Sequence, residues 1–112
     1  MTPYYLDPEL SVALADNCLI ISGDLSAANG PLLLQWLESL PVVSRLDLAE
    51  LDINDGVAAT YAVNAVRLLL SRDTPLVIDS APQVLAHNLY RTGMLEGDSV
   101  RLVDMREDEA YS

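Results

Sequence analysis

The chain has 112 residues, 51% of them apolar, and a formal net charge of −11; this suits one domain with a sizeable core and excludes a disordered chain. So negative a balance repels phosphates, which makes nucleic acid and anionic lipid poor partners and favours basic protein surfaces or simple solubility. No apolar run approaches the roughly 18 residues of a membrane span, no signal-peptide pattern opens the chain, and the single cysteine forms no internal disulfide, so a cytoplasmic protein without direct membrane insertion is expected.

Residues 1–9 hold two prolines and read as an irregular lead-in, with Tyr4, Tyr5 and Leu6 as packing candidates. Leu10 to Leu14 and Cys18 to Ser22 read as strands joined at the Asp16-Asn17 turn signal, a hairpin that Gly23 and Asp24 end. Cys18 opens an apolar strand and is taken as a small buried hydrophobe. Asn29, Gly30 and Pro31 mark a helix start, after which Leu33, Trp36, Leu37 and Leu40 recur at helical spacing until Pro41 stops the helix. Trp36 lies on that apolar stripe and is assigned to the core.

Arg45 to Leu70 is the central stretch. Leu46 and Leu48 flank Asp47 as in a strand. An acidic loop and Gly56 then lead into a helix. Ala59, Ala62, Val63, Val66 and Leu70 would share its apolar face, with Thr60, Asn64, Arg67 and Ser71 opposite. Arg72 to Pro75 connects to Leu76–Ile78, a short apolar strand expected to be buried on both faces. Ser80, Pro82 and Gln83 suggest a capping box before a helix with Leu85 and Leu89 inward and Gly93 at its end. Val100 to Met105 alternates as a last strand, and residues 106–112 form an acidic tail read as frayed. The expected fold is a single α/β domain over residues 1–112, with its core at about 10–105. Its mixed, mostly parallel sheet has helices packed against it, in the order β-β-α-β-α-β-α-β.

The residues offer little for catalysis. His87 and Cys18 lie far apart without ligand neighbours at metal spacing, so no metal is expected. The run Glu50 to Gly56 superficially resembles a calcium loop, but Asp55 and Tyr61 stand where glycine and glutamate are required. Asp47, Asp52 and Asp55 come from one strand and loop, and alternation should send them in different directions. Ser80, Asp79 and His87 could be written as a triad, yet no G-x-S-x-G elbow surrounds the serine. Neither a phosphate-cradling P-loop nor a G-x-G-x-x-G run is present. A non-enzyme without a cofactor is the reading of these residues.

Four segments resemble the STAS domain, the fold of anti-sigma-factor antagonists. Ile21-Ser22-Gly23-Asp24-Leu25-Ser26 looks like the family's strand ending in Gly-acid-Leu. Leu46-Asp47-Leu48 is similar to its central strand. Ile78-Asp79-Ser80-Ala81-Pro82-Gln83-Val84 looks like its strand-turn-helix entry, and Leu89-Tyr90-Arg91-Thr92-Gly93-Met94-Leu95 resembles the run that closes that helix. The likeness spans about Leu10 to Met105, and the segments come in the family's order.

The resemblance implies a regulatory signalling module that binds a protein through the junction after the central strand and the helix that follows. Its docking residues would be Asp24, Asn54, Asp55, Gly56, Val57, Ala58, Thr60, Tyr61 and Asn64. Phospho-switch members carry Asp-Ser-Ser/Thr-Gly at that junction, and this chain departs from them. Counted without a gap from Leu46, Asp55 matches the leading aspartate, and Gly56 and Val57 occupy the hydroxyl positions. Aligned on the glycine, Asp55 takes the second hydroxyl position as a candidate phosphomimic. Both frames lose the acceptor, so no phosphorylation is expected there. The implied partner is a kinase-fold anti-sigma factor, which would make the protein a regulator of transcription. The alternatives are a small STAS subunit beside the ATPase of a lipid-trafficking transporter, or an adaptor in a chemotaxis or stress-signalling assembly. A homodimer is compatible with each.

Overall fold

The computed structural model describes residues 2–72 and 74–106. Ten elements follow in order: β1 (Tyr4–Asp7), β2 (Leu10–Ala15), β3 (Cys18–Leu25), α1 (Gly30–Leu37), β4 (Arg45–Asp47), β5 (Leu51–Ile53), α2 (Gly56–Leu70), β6 (Leu76–Asp79), α3 (Gln83–Arg91) and β7 (Val100–Val103). The α/β class and the mixed sheet agree with expectation, while the order gains two strands. The lead-in is one of them. Asp7 turns the chain by accepting from the Glu9 amide at 2.8 Å, and this folds Tyr4–Asp7 back along β2. Leu6 packs on the core, but Tyr4 and Tyr5 stay exposed.

The second addition is β5, inside the stretch read as an acidic loop. After Asp47 the chain makes a tight turn. The Asp47 side chain accepts from the Ala49 amide, and the Leu51 amide donates to the Leu48 carbonyl. The strand then resumes against β3 alone. β3 runs past its expected end to Leu25 and serves both pieces. Gly23 permits this: its φ is +111°, and a Cβ there would overlap the Glu9 carbonyl oxygen. A side chain is thereby excluded where three strands converge.

In the sheet the order is β1-β2-β3-β4-β6-β7, with β5 paired to β3. β1, β2 and β3 are antiparallel neighbours. The pairs β3–β4, β3–β5, β4–β6 and β6–β7 are parallel. From β3 onward each new strand is added on the same side of the last. Right-handed crossovers wound in one direction put every connecting helix on one face of the sheet. The burial pattern agrees. Leu10, Val12, Leu19, Ile21, Leu46, Leu48, Leu76 and Ile78 form one cluster with Leu33, Leu37, Val66, Leu69, Leu85 and Leu89 of the helices. The alternate residues Ala13, Ile20, Val77 and Val103 are half-buried and stand outside that cluster. The expectation that Leu76–Ile78 is buried on both faces is therefore corrected: Val77 faces the side without helices.

α2 is the central helix, touching α1, α3 and β3. Ala58, Ala59, Ala62 and Ala65 are buried on it, and small side chains let it lie close to its neighbours. Its buried face includes Leu69, whereas Leu70, expected inward, is half-buried. α1 ends at Leu37, four residues before Pro41, and Trp36 is half-buried at the core's margin. No helix among the described residues is long and apolar enough to cross a membrane.

Candidate functional site

The junction expected to dock a partner is a fixed piece of backbone. β5 ends at Ile53, and Asp55 caps α2 by accepting from the Ala58 amide at 2.8 Å. This satisfies an amide that the helix itself leaves unpaired and sets negative charge against the positive end of its dipole. The carboxylate of Asp55 thus has a structural role under either alignment of the junction. Gly56 and Val57 follow as the first exposed residues of the helix, Val57 at 52%. Thr60 lies one turn on, its hydroxyl donating to the Gly56 carbonyl at 2.9 Å.

The exposed line continues through half-buried Asn64 to Arg67 and Ser71. Beside it a shallow groove of about 410 Å³ runs between α1 and α2, lined by Leu34, Glu38, Asn64, Arg67, Leu68 and Ser71. The helix periodicity pointed to Asn64, Arg67 and Ser71. The α1 side of the groove was not legible, because which helix lies beside α2 is a tertiary fact.

Two expected docking residues are placed elsewhere. Ala58 is fully buried. Tyr61 is half-buried and packs on the core, its ring so close to Gly30 that a Cβ on that glycine would overlap it. Helical spacing explains both: Ala58 and Tyr61 fall on the faces turned toward the sheet and α1. Asn54 is exposed at the loop before the cap.

Asp24 sits at the end of β3, level with Asp52 of β5, and both are exposed. Like charges on adjacent strands repel. Arg106 partly offsets this, its guanidinium lying 3.7 Å from Asp52. The same guanidinium donates to the carbonyls of Leu48 and Leu51. It thereby supplies bonds where the β4–β5 break interrupts the ladder. The Arg106 carbonyl in turn accepts from the Gln83 side chain. The frayed tail expected from residue 106 is corrected at that residue, and residues 107–112 lie outside those described. Nothing in the local sequence pointed to Arg106, since its partners are about half a chain away.

The expected capping box at Ser80 is also corrected. Pro82 is the cap position of α3 and makes no side-chain cap bond. The Ser80 hydroxyl instead donates to Asp79 at 2.9 Å, and the Ser80 backbone has φ +60°. A bond to Arg45 at 2.7 Å, then that from Ser80, hold the Asp79 carboxyl below its ordinary range. Asp79 and Asp47 face the open side of the sheet, whereas His87 is exposed on α3, across it. The geometry therefore does not gather Ser80, Asp79 and His87 into a triad. Cys18, expected in the core, is half-buried on the open side. Burial, then the Asp47 carboxylate, push its thiol up, which keeps it protonated and a poor nucleophile at neutral pH. Among the described residues no three His, Cys, Asp or Glu side chains form a cluster fit for a metal ion. A scan against models of known protein families gives no match for this chain, and a search of curated proteins gives none either.

Proposed function

We propose that the protein is a non-catalytic, cytoplasmic regulatory module that binds another protein through the first turns of α2, in the manner of an anti-sigma-factor antagonist-like STAS domain. The observation that carries this reading is Val57, an exposed aliphatic side chain held rigidly in the first turn of a capped helix. Loops and turns fixed by rigid elements are where recognition residues concentrate. The groove between α1 and α2 continues that surface and offers Leu34 and Leu68 with Arg67 and Glu38.

The charge near the junction defines the partner's chemistry. Asp24, Asp52 and Asp55 lie at this end of the molecule, so the partner presents basic groups there. A kinase-fold anti-sigma factor is the first class and a transporter ATPase the second. Phosphorylation of a junction hydroxyl would add nearly two negative charges and break such an interface. Here Gly56 and Val57, or Asp55, stand at those positions, so binding is constitutive.

Capture of candidate partners by wild type and Val57→Arg tests the surface. The substitution is exposed and leaves the fold intact by circular dichroism, while capture is lost. Unchanged capture places the docking surface elsewhere. Retention of a transporter ATPase in place of a kinase-fold protein selects the second class. Incubation with ATP and a cognate kinase leaves the intact mass unchanged, and stoichiometric phosphate on Thr60 or Ser71 would overturn the constitutive reading.

A further inference from the structure

The side of the sheet without helices is a second surface that the α2 reading does not use. Strand pairing arranges its residues in rows. Cys18, Arg45, Val77 and Arg101 form one row across β3, β4, β6 and β7. Ile20, Asp47, Asp79 and Val103 form the next, and Ala15 and Ala13 continue the two rows onto β2. One row is therefore apolar and basic, the other apolar and acidic. The apolar members are half-buried by their neighbours alone and lie outside the core cluster.

One consideration bears on whether this face is covered when the protein works. All-parallel sheets occur almost only with both faces covered, and although this sheet is mixed, its neighbouring strands β3, β4, β6 and β7 are parallel and carry helices on one face alone among the described residues.

We propose that the open face binds the same face of a second copy, forming a two-fold dimer with the two sheets stacked and their strands antiparallel. The charge pattern selects this occupant and this geometry. A two-fold axis along the strands would set basic row on basic row. An axis across the strands, between the rows, sets the basic row of each copy on the acidic row of the other. Each Arg45 then meets Asp47 of the second copy, and the contact is made twice, as a self-complementary interface requires. Arg45 already bonds Asp79 in its own chain, so the stack alternates positive and negative groups. The apolar members of the rows are buried between sheets at the usual spacing of about 10 Å.

The test is the molar mass in solution of the full chain across a wide concentration range. Wild type is dimeric, and Val77→Arg is monomeric with an unchanged circular dichroism spectrum. Asp47→Arg, which sets like charges together, weakens the dimer at least about tenfold. Val57→Arg, on the α2 surface, leaves it intact, which separates this proposal from the docking reading. A second measurement needs no variant. Alkylation of Cys18 is slow in the dimer and quickens on dilution through the dissociation range. A wild type that stays monomeric, a dimer that survives Val77→Arg, a dimer lost with Val57→Arg, or a Cys18 rate independent of concentration each overturns the proposal. A strictly monomeric chain would leave the face to a partner of another kind.

Discussion

Gly30 and Tyr61 depend on each other although 31 positions of sequence separate them. The ring rests where a side chain on Gly30 would be, and this lets α1 approach α2. Gly30→Ala is expected to cost about 1–3 kcal/mol through overpacking. Chemical denaturation should show the loss, with part of it recovered when Tyr61→Leu is added. Asp55 tells a different story, because its two assignments make opposite demands. A cap needs an oxygen acceptor, while a phosphomimic needs charge. Asp55→Ala should lose about 1 kcal/mol, and Asp55→Asn or Asp55→Ser should keep most of the stability. If Asp55→Asn keeps stability yet loses partner binding, the charge acts in recognition as well. Asn29 was legible only in part. Its place before a helix was clear, but it is fully buried. There it accepts from the Ser26 amide and donates to the Asp24 carbonyl, holding the exit of β3. A side chain that binds across a bend leaves no periodic trace.

Among the elements, the helices followed their apolar spacing and the strands less reliably. α2 was visible from Gly56 onward because alanine and valine recur at its period. β1 was missed because its two prolines read as breakers, yet Pro3 precedes the strand and Pro8 lies in the turn that follows it. β5 is hidden because its three residues, Leu51, Asp52 and Ile53, are too few to show a period and sit among Glu50, Asp52 and Asp55, which look like loop until β3 is found beside them. The Ser80 box fails because α3 is entered two residues later, with Pro82 at the cap position, and the Ser80 backbone turns with φ +60°. Arg72 is an element-scale feature of the same kind. It donates to the carbonyls of Leu37 and Glu38 at the end of α1 and of Leu68 near the end of α2. One cation thus satisfies two helix C-termini and complements both dipoles. Arg72→Ala should cost about 1.5–3 kcal/mol, the range for hydrogen bonds to a charged group. Arg72→Lys should recover only part, since an ammonium lacks the planar fork. Urea unfolding of the three proteins checks this.

For the molecule as a whole, six arginines and no lysine face seventeen carboxylates. Arg45, Arg72 and Arg106 all make bonds within the fold, so the surface field is strongly negative and added salt should stabilise the chain. The acid limb has a specific component at Asp79. Its carboxyl ionises more readily in the folded chain than in the unfolded one, because of Arg45 and then Ser80. Such a group adds stability above the ordinary value of 3.8, and that stability is lost as pH falls through the lower folded value. Thermal midpoints of wild type and Arg45→Met should therefore differ at neutral pH, begin to converge as pH falls below 3.8 and meet only below the lower folded value. A constant gap would mean that Arg45 acts through packing.

The one-directional winding of the sheet also bears on how the chain is made. From β3 to β7 the strands of the main path lie side by side in the order of their synthesis. Each strand leaving the ribosome finds its neighbour already in place, and none has to be threaded between two earlier ones. The growing edge moves from β4 to β6 to β7, and a nascent chain that stops after α2 has completed every pairing that β3 makes. Such growth keeps successive closures short and limits the time that unpaired edges stay exposed. Arg106, which follows β7, can close over the β4–β5 break only when synthesis has passed that strand.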